Sequence, residues 1–394
     1  MIVEPKIRGF ICTTSHPTGC AKNVAEQIAY VKSKPAIDGT KKALIIGSST
    51  GYGLATRIAA AFGCGAATIG VAYERPAQLK RTATAGWYNT AAFQKQALDD
   101  GLYAKSIMGD AFSKETKDKT IELIKRDLGS VDLVVYSLAA PRRTVDSGKT
   151  YSSVIKPIGK AYTGKTIDMN THKLSTATVE PATEEEIEGT IKVMGGEDWR
   201  LWIEALKGAG VLAQGAITLA YSYIGPEITH AIYADGTIGM AKKDLEKTAK
   251  DITDLLAPIN GKAYVSVNKA VVTQASSAIP AVPLYTSILF NVMKKLGIHE
   301  GCIEQMYRMF AEKLYVPKTI VDESGRIRLD DFELRDDVQK EVSRIWNSVN
   351  DSNLEEVADV RGYWDDFYRL FGFGIDGVNY EADVDIETEI PGLV

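Results

Sequence analysis

From residue 42 onward, short uninterrupted apolar runs alternate with stretches whose apolar positions recur at helical spacing. The first run, "ALIIG", has no polar position, which is the pattern of a strand buried on both faces. "GLATRIAAAFG" follows as an Ala-rich helix former and stops at Gly63, where a helix C-cap falls. "AATIGVAYE" and "LYAKSIMGDAF" carry a second and a third run. "KETKDKTIELIKRDLG" then brings Ile121, Leu123, Ile124 and Leu128 towards one face of a helix. "VDLVVYSLAA", "GAITLAYSY" and "KAYVSVNKAVV" complete six strands. Strands alternating with helices predict an α/β fold, a Rossmann-type doubly wound parallel sheet flanked by helices.

Other regions break the alternation. Between the fourth and fifth strands, "PRRTVDSGKTYSSVIKPIGKAYTGKTIDMNTHKLSTATVEP" is rich in Thr, Lys and Gly and predicts an inserted hairpin or cover. Helices follow in "ATEEEIEGTIKVMGGEDWRLWIEALKGAG" and, past Pro280, in "LYTSILFNVMKKLG" and "CIEQMYRMFAEKLY". The chain reads as one enlarged domain over 1–394. An N-terminal extension (1–40) holds one polar helix near "AKNVAEQIAYVKS". The first half of the nucleotide-binding fold (41–140) precedes the insertion (141–185). The second half with the active site (186–290) leads into a helical C-terminal extension (291–394), with "WDDFYRLFGFG" as the last packed element.

Composition narrows the class of function. Of 394 residues, 45% are hydrophobic and 25% charged, the profile of a soluble globular protein. The net charge is −5 and no block of Lys/Arg stands out, so neither nucleic acid nor a membrane surface is an expected partner. The charged, proline-bearing start does not resemble a signal peptide, and no uncharged apolar run reaches the roughly 18 residues of a membrane span. A cytoplasmic location is expected. Cys12, Cys20, Cys64 and Cys302 are too scattered for a disulfide scaffold or a zinc pair. His16, His172, His230 and His299 form no metal-binding motif, so no metal is expected and His299 reads as structural.

The candidate chemistry starts at Gly47-Ser48-Ser49-Thr50-Gly51-Tyr52-Gly53, between a buried strand and a helix. Glycines there let the backbone approach a pyrophosphate, and the helix N-terminus offers free N–H groups. Glu74 ends the second strand, where a carboxylate binds both ribose hydroxyls and repels a 2′-phosphate. That favours NADH over NADPH, although the adjacent Arg75 could accept such a phosphate. Asp110 ends the third strand beside the adenine position, and Leu138 and Ala139 end the fourth beneath the nicotinamide ribose. Tyr233 and Lys242 are separated by eight residues, and on one continuous helix they would lie on opposite sides. Gly236, Thr237 and Gly239 interrupt the segment, so a fresh helix is expected with Lys242 in its first turn. On pattern alone, Lys242 with Lys243 and Lys247 also reads as a solvated face, and Tyr221, Tyr223 and Tyr233 as packing aromatics. Trp87 and Trp199 read as core or lid packing.

Nine further stretches give this pattern a family. "GSSTGYGLATR", "GWYN", "GDAF", "YSLAAP", "KVMGGEDW", "TLAYSYIGPE", "GTIGMAK", "VSVNKAVVTQASSAIPAVPLY" and "HEGCIEQ" run through nearly the whole chain, to "GVNYEADV". Together they resemble the short-chain dehydrogenase/reductase superfamily. More narrowly, they are similar to the trans-2-enoyl-CoA reductases and the V-type bacterial enoyl-acyl-carrier-protein reductases. The resemblance implies NADH-dependent reduction of an α,β-unsaturated thioester, with hydride reaching C3 and an enolate to stabilise and protonate. It places the catalytic tyrosine on Tyr233, the lysine on Lys242, and a substrate-contacting tyrosine, oxyanion donor or clamp, on Tyr223. Tyr221, two residues away, is expected to point the other way along a strand. Cofactor positions fall on Gly47 to Tyr52, Tyr73, Glu74, Asp110, Ala111, Leu138, Ala139, Lys242, Val271, Val272 and Thr273. An acyl pocket is implied along "SSAIPAVPLYTSILF", and a monomer by the long terminal extensions.

Two rival functions share the glycine turn. A carbonyl reductase would place tyrosine and lysine one helical turn apart, as Y-x3-K, and no such pair stands near the fifth strand. A non-enzymatic NAD sensor would not need the Tyr–Lys pair. The carrier is open between coenzyme A and acyl carrier protein, with the lack of a basic docking patch favouring CoA.

Overall fold

In sheet strand β1 (Lys42–Ile46), residues 43–46 are wholly buried. Ala43 and Ile45 enter one apolar cluster while Leu44 and Ile46 enter another on the opposite face, as a strand period of two requires. A strand covered on both sides has no polar face, which is why the sequence shows an unbroken run. The computed structural model describes residues 1–8, 11–168, 171–273, 276 and 279–394. β2 (Ala67–Ala72), β3 (Ala104–Met108), β4 (Val131–Tyr136), β5 (Leu212–Ser222), β6 (Lys262–Val267) and β7 (Ile327–Arg328) complete a seven-stranded sheet. Its order is β7-β6-β5-β4-β1-β2-β3, and every pairing is parallel. The order reverses between β1 and β4, so a crevice opens at the carboxyl ends of these two strands.

Helices cover both faces. On one lie α1 (Pro17–Lys32), α2 (Gly51–Ile58), α3 (Ala85–Asp99) and α10 (Cys302–Arg308), burying Val24, Leu54, Phe93 and Met306. On the other lie α4 (Lys114–Asp127), α6 (Glu197–Gly208) and α8 (Thr237–Leu256), whose Trp199 and Trp202 are fully buried. α5 (Glu184–Met194) precedes α6, and α7 (Glu227–His230) is a single turn before α8. A third apolar cluster joins α9 (Val282–Lys295), α11 (Asp336–Ser348), α12 (Leu354–Val357) and α13 (Val360–Arg369). The insertion forms two antiparallel hairpins, Arg142–Thr144 with Thr150–Ser152 and Tyr162–Ile167 with Leu174–Val179.

Four expectations need adjustment. The N-terminal helix begins earlier, at Pro17, because the buried His16 ring accepts the Gly19 N–H as its cap. β7 has only two residues and lay hidden in the charged tail. α11 lies in that tail too, with Val338, Val342 and Ile345 buried at helical spacing. α13 is not the last packed element, since Ile386 and Ile390 are buried beyond it. Trp87 accepts its expected structural role, donating its indole N–H to the Thr388 carbonyl.

Candidate active site

The three glycines of the β1–α2 turn are each required for a different reason. Gly47 has φ +85°, and a Cβ there would lie 1.9 Å from the Ser137 carbonyl oxygen. Gly51 has φ +52°, and a Cβ on Gly53 would meet the Gly47 carbonyl at 1.8 Å. The Gly47 and Ser48 N–H groups donate to the Val71 carbonyl, tying the turn to β2. Thr50 is the N-cap of α2 without a side-chain capping bond, so the first N–H groups of this helix face the crevice uncapped by it.

Neighbouring strands complete a cradle. Ser49 donates its hydroxyl to Glu74 Oε1 at 2.6 Å, and Gly86 closes on the same carboxylate, where a Cβ would come within 2.1 Å. The Tyr73 ring beside it is 80% exposed, open to a planar ligand. Thr50, Gly51, Glu74, Arg75 and Thr273 line one cavity. Asp110 lies just past β3 and uses one carboxylate oxygen to accept the Phe112 N–H. The buried Ala111 is held from below, its carbonyl accepting from Trp202 and Lys117. Leu138 Cδ2 would lie 3.0 Å from a Cβ on Gly47, and Ala139 is exposed.

The segment leaving β6 is fixed at nearly every backbone group. Asn268 N–H donates to the Ser222 carbonyl, Lys269 N–H to Gln305, and Ala270 N–H to Glu333. The Lys269 carbonyl accepts the Tyr52 hydroxyl at 2.6 Å, so the Tyr52 phenol points into the protein and leaves only its backbone for a phosphate. Val271 and Val272, both buried, and Thr273 continue from this anchored base. Of the stretch that follows, Gln274, Ala275, Ser277 and Ala278 lie outside the described residues, and with them part of the implied acyl pocket.

Tyr233 sits in the turn between α7 and α8, held by its own backbone. Its N–H donates to Thr229 and His230, and its carbonyl accepts from Gly236 and Gly239. A Cβ on Gly239 would stand 1.9 Å from the Ala234 carbonyl, so this close approach needs glycine. The ring is buried in a small apolar cluster with Ile232, Ile238, Ile279 and Val282, roofed by Ile155, Tyr162 and Val179 of the insertion. Burial raises the phenol pKa, keeping it protonated. Among the described residues its hydroxyl has no hydrogen-bond partner, which leaves its proton free to donate. Lys242 lies in the second turn of α8, not the first, because the helix already starts at Thr237. It donates to the Tyr221 carbonyl at 2.8 Å, and burial lowers its ammonium to about 8, whereas Lys243 and Lys247 are exposed.

Tyr221 and Tyr223 do part company. Residues two apart on a strand share a face, but β5 ends at Ser222 and Tyr223 turns away. The Tyr221 hydroxyl bonds Thr56 on α2. The Tyr223 ring stands edge-on to Tyr233, with centroids 5.0 Å apart and planes at 80°, and its hydroxyl donates to Glu333 at 2.9 Å. Glu333, Gln305 and Lys269 are site-supporting residues that the sequence reading missed. His299 is structural as expected, packed edge-on against Phe290 with its pKa lowered to about 3, chiefly by burial.

A parallel sheet with this strand order and a glycine turn at its switch point, with the buried Tyr233 and the half-buried Lys242 past β5, fit a dinucleotide-dependent oxidoreductase of the short-chain type. Comparison with known proteins narrows this class. A profile for the trans-2-enoyl-CoA reductase catalytic region matches residues 81–315, and one for the NAD(P)H binding domain of trans-2-enoyl-CoA reductase matches residues 2–79. The chain belongs to the trans-2-enoyl-CoA reductase family. It is 60% identical over 394 residues to the trans-2-enoyl-CoA reductase [NADH] of Ruminiclostridium cellulolyticum, covering 100% of each chain. It is 59% identical over 396 residues to the enoyl-[acyl-carrier-protein] reductase [NADH] of Cytophaga hutchinsonii, again covering 100% of each. The crystal structure of a Clostridium trans-2-enoyl-CoA reductase in complex with NADH superposes with a TM-score of 0.96 at 50% identity, covering 98% of both chains.

A third profile, for an enoyl reductase FAD binding domain, matches residues 321–384. The cavity this segment forms with residues 2–5 does not fit a flavin dinucleotide. Tyr363, Trp364, Phe367, Phe371 and Phe373 are buried in the core. The cavity this segment lines with residues 2–5 presents Glu4, Asp365 and Glu381 and no lysine or arginine, a lining that repels a pyrophosphate.

Proposed function

We propose that this protein reduces the C2=C3 double bond of short trans-2-enoyl thioesters with NADH, crotonyl-CoA being the simplest substrate, in fatty-acid synthesis or a butyrate-type fermentation. The observation that carries the assignment of roles is the protonated hydroxyl of Tyr233, without a partner among the described residues, in an apolar cluster against Tyr223. The glycine turn, the uncapped start of α2 and the Ser49–Glu74 pair would hold the pyrophosphate and ribose of NADH, and Tyr73 and Asp110 would hold its adenine. When bound, the nicotinamide supplies hydride for C3. Negative charge then develops on the thioester oxygen; Tyr233 donates a hydrogen bond to it, and its one proton then passes to C2, leaving a phenolate that is reprotonated from solvent. Donors of this kind are typically worth about 3–4 kcal/mol. Lys242, in a low-dielectric setting, holds the nicotinamide ribose and stabilises any phenolate. Tyr223 walls the site with its ring.

Coenzyme A is the favoured carrier, since the chain has net charge −5 and no basic run to dock an acidic carrier domain. Acyl carrier protein is the alternative, and relatives of nearly equal identity carry either name. We further read the chain as a cytoplasmic monomer and one structural unit, since its strands from β1 to β7 share one sheet.

The test is NADH and NADPH oxidation with crotonyl-CoA, a longer enoyl-CoA and an enoyl-carrier protein. The highest kcat/KM is expected for NADH with crotonyl-CoA. A preference for the carrier-protein substrate would reassign the carrier, and no oxidation with any enoyl thioester would overturn the function.

A further inference from the structure

The C-terminal extension sends one side chain to the floor of the site. Glu333, just past β7, is fully buried. Its Oε1 accepts the Tyr223 hydroxyl at 2.9 Å and the Tyr285 hydroxyl at 2.6 Å, and its Oε2 accepts the Ala270 N–H at 2.7 Å. Three donors satisfy a carboxylate that burial would otherwise make very costly. The location of those donors is informative. Tyr223 stands edge-on against Tyr233, Ala270 opens the Val271–Thr273 segment, and Tyr285 lies on α9. A phenol has one proton. With that proton given to Glu333, Tyr223 offers the site its ring and lone pairs and is not a second donor to a thioester oxygen. Its ring is pinned at both ends, by the backbone leaving β5 and by the carboxylate.

We propose that Glu333 is a positioning residue for the reduction. It fixes the Tyr223 ring through its hydroxyl, and with it the wall against which Tyr233 is aimed, while bracing the cofactor segment through Ala270. The proposal rests on the enoyl thioester reductase activity described above. Glu333→Gln keeps a carbonyl oxygen for Ala270 but replaces the other acceptor with an amide donor, so it breaks mainly the tyrosine arm.

Steady-state kinetics with NADH and crotonyl-CoA on the full chain test this as a cycle of Glu333→Gln, Tyr223→Phe and the double variant. Glu333→Gln is expected to lower kcat about tenfold, with KM for crotonyl-CoA moving less than about threefold. In the Tyr223→Phe background the same change is expected to cost less than about twofold, because its effect passes through that hydroxyl. Equal factors in both backgrounds, as a merely structural role gives, would overturn the proposal, as would an unchanged kcat in Glu333→Gln. Should the amide prevent folding, Glu333→Asp runs the same cycle. Tyr223→Phe alone keeps Glu333 in place, and an unchanged kcat there also overturns the proposal. A wild-type protein that does not oxidise NADH with crotonyl-CoA removes the activity itself, an outcome distinct from an active protein with additive variants.

Discussion

Two lysines around the site, Lys242 and Lys269, are lowered by burial to about 8, and Lys242 is the one proposed to meet the cofactor. Burial lowers its ammonium from 10.5 to about 8, so in the cofactor-free protein it is charged below that pH and neutral above. The charged form is the one that donates to ribose hydroxyls. kcat/KM for NADH is therefore expected to fall as pH rises through about 8, a limb absent in Lys242→Met. Stability moves the other way: between about 8 and 10.5 the unfolded chain holds a proton the folded one has shed, so folding gains with rising pH in that window. We propose that Glu74 sets cofactor choice through its charge. Glu74→Ala is expected to raise the NADPH-to-NADH ratio of kcat/KM on the order of tenfold or more, read from initial rates with both cofactors. An unchanged ratio would show that Glu74 does not set the discrimination.

At the level of elements, the decisive piece is the turn from Tyr233 into α8. Gly239 lets the Tyr233 and Ala234 carbonyls close onto the helix start. Gly239→Ala is expected to lower kcat at least tenfold while a fluorescence titration shows NADH binding largely retained, because the turn moves but the glycine cradle does not. Most of this was readable beforehand. Strands β1 to β6 announced themselves as apolar runs because both faces of the sheet are covered, and the glycines between Tyr233 and Lys242 announced a break. β7 did not, because two residues paired only with Ser266 and Val267 have no periodicity to detect. Glu333 could not be found either. In "DDFELRDD" it looks like its acidic neighbours, and only the packing of the extension against β6 and α9 buries it. α11 was legible in principle from the spacing of Val338, Val342 and Ile345.

Across the whole molecule, both sheet edges are managed. The C-terminal strap runs along β3, where Val394 N–H donates to the Ser106 carbonyl and Tyr88 holds the Ile386 carbonyl. β7 closes the other edge with two residues, one of which, Arg328, is paired with Asp330. Short or strapped edges disfavour strand-to-strand assembly. Light scattering is expected to give the monomer mass of 42.9 kDa, and a dimer or tetramer would contradict this. The same extensions that close the molecule also build its site, since the C-terminal one supplies Glu333 and the insertion roofs Tyr233. The central step we propose is the donation from that tyrosine to a thioester oxygen. NADH oxidation with crotonyl-CoA by wild type and Tyr233→Phe tests this most directly. Turnover is expected to drop about a hundred- to thousandfold with NADH affinity unchanged, and near-normal turnover in the variant would contradict it.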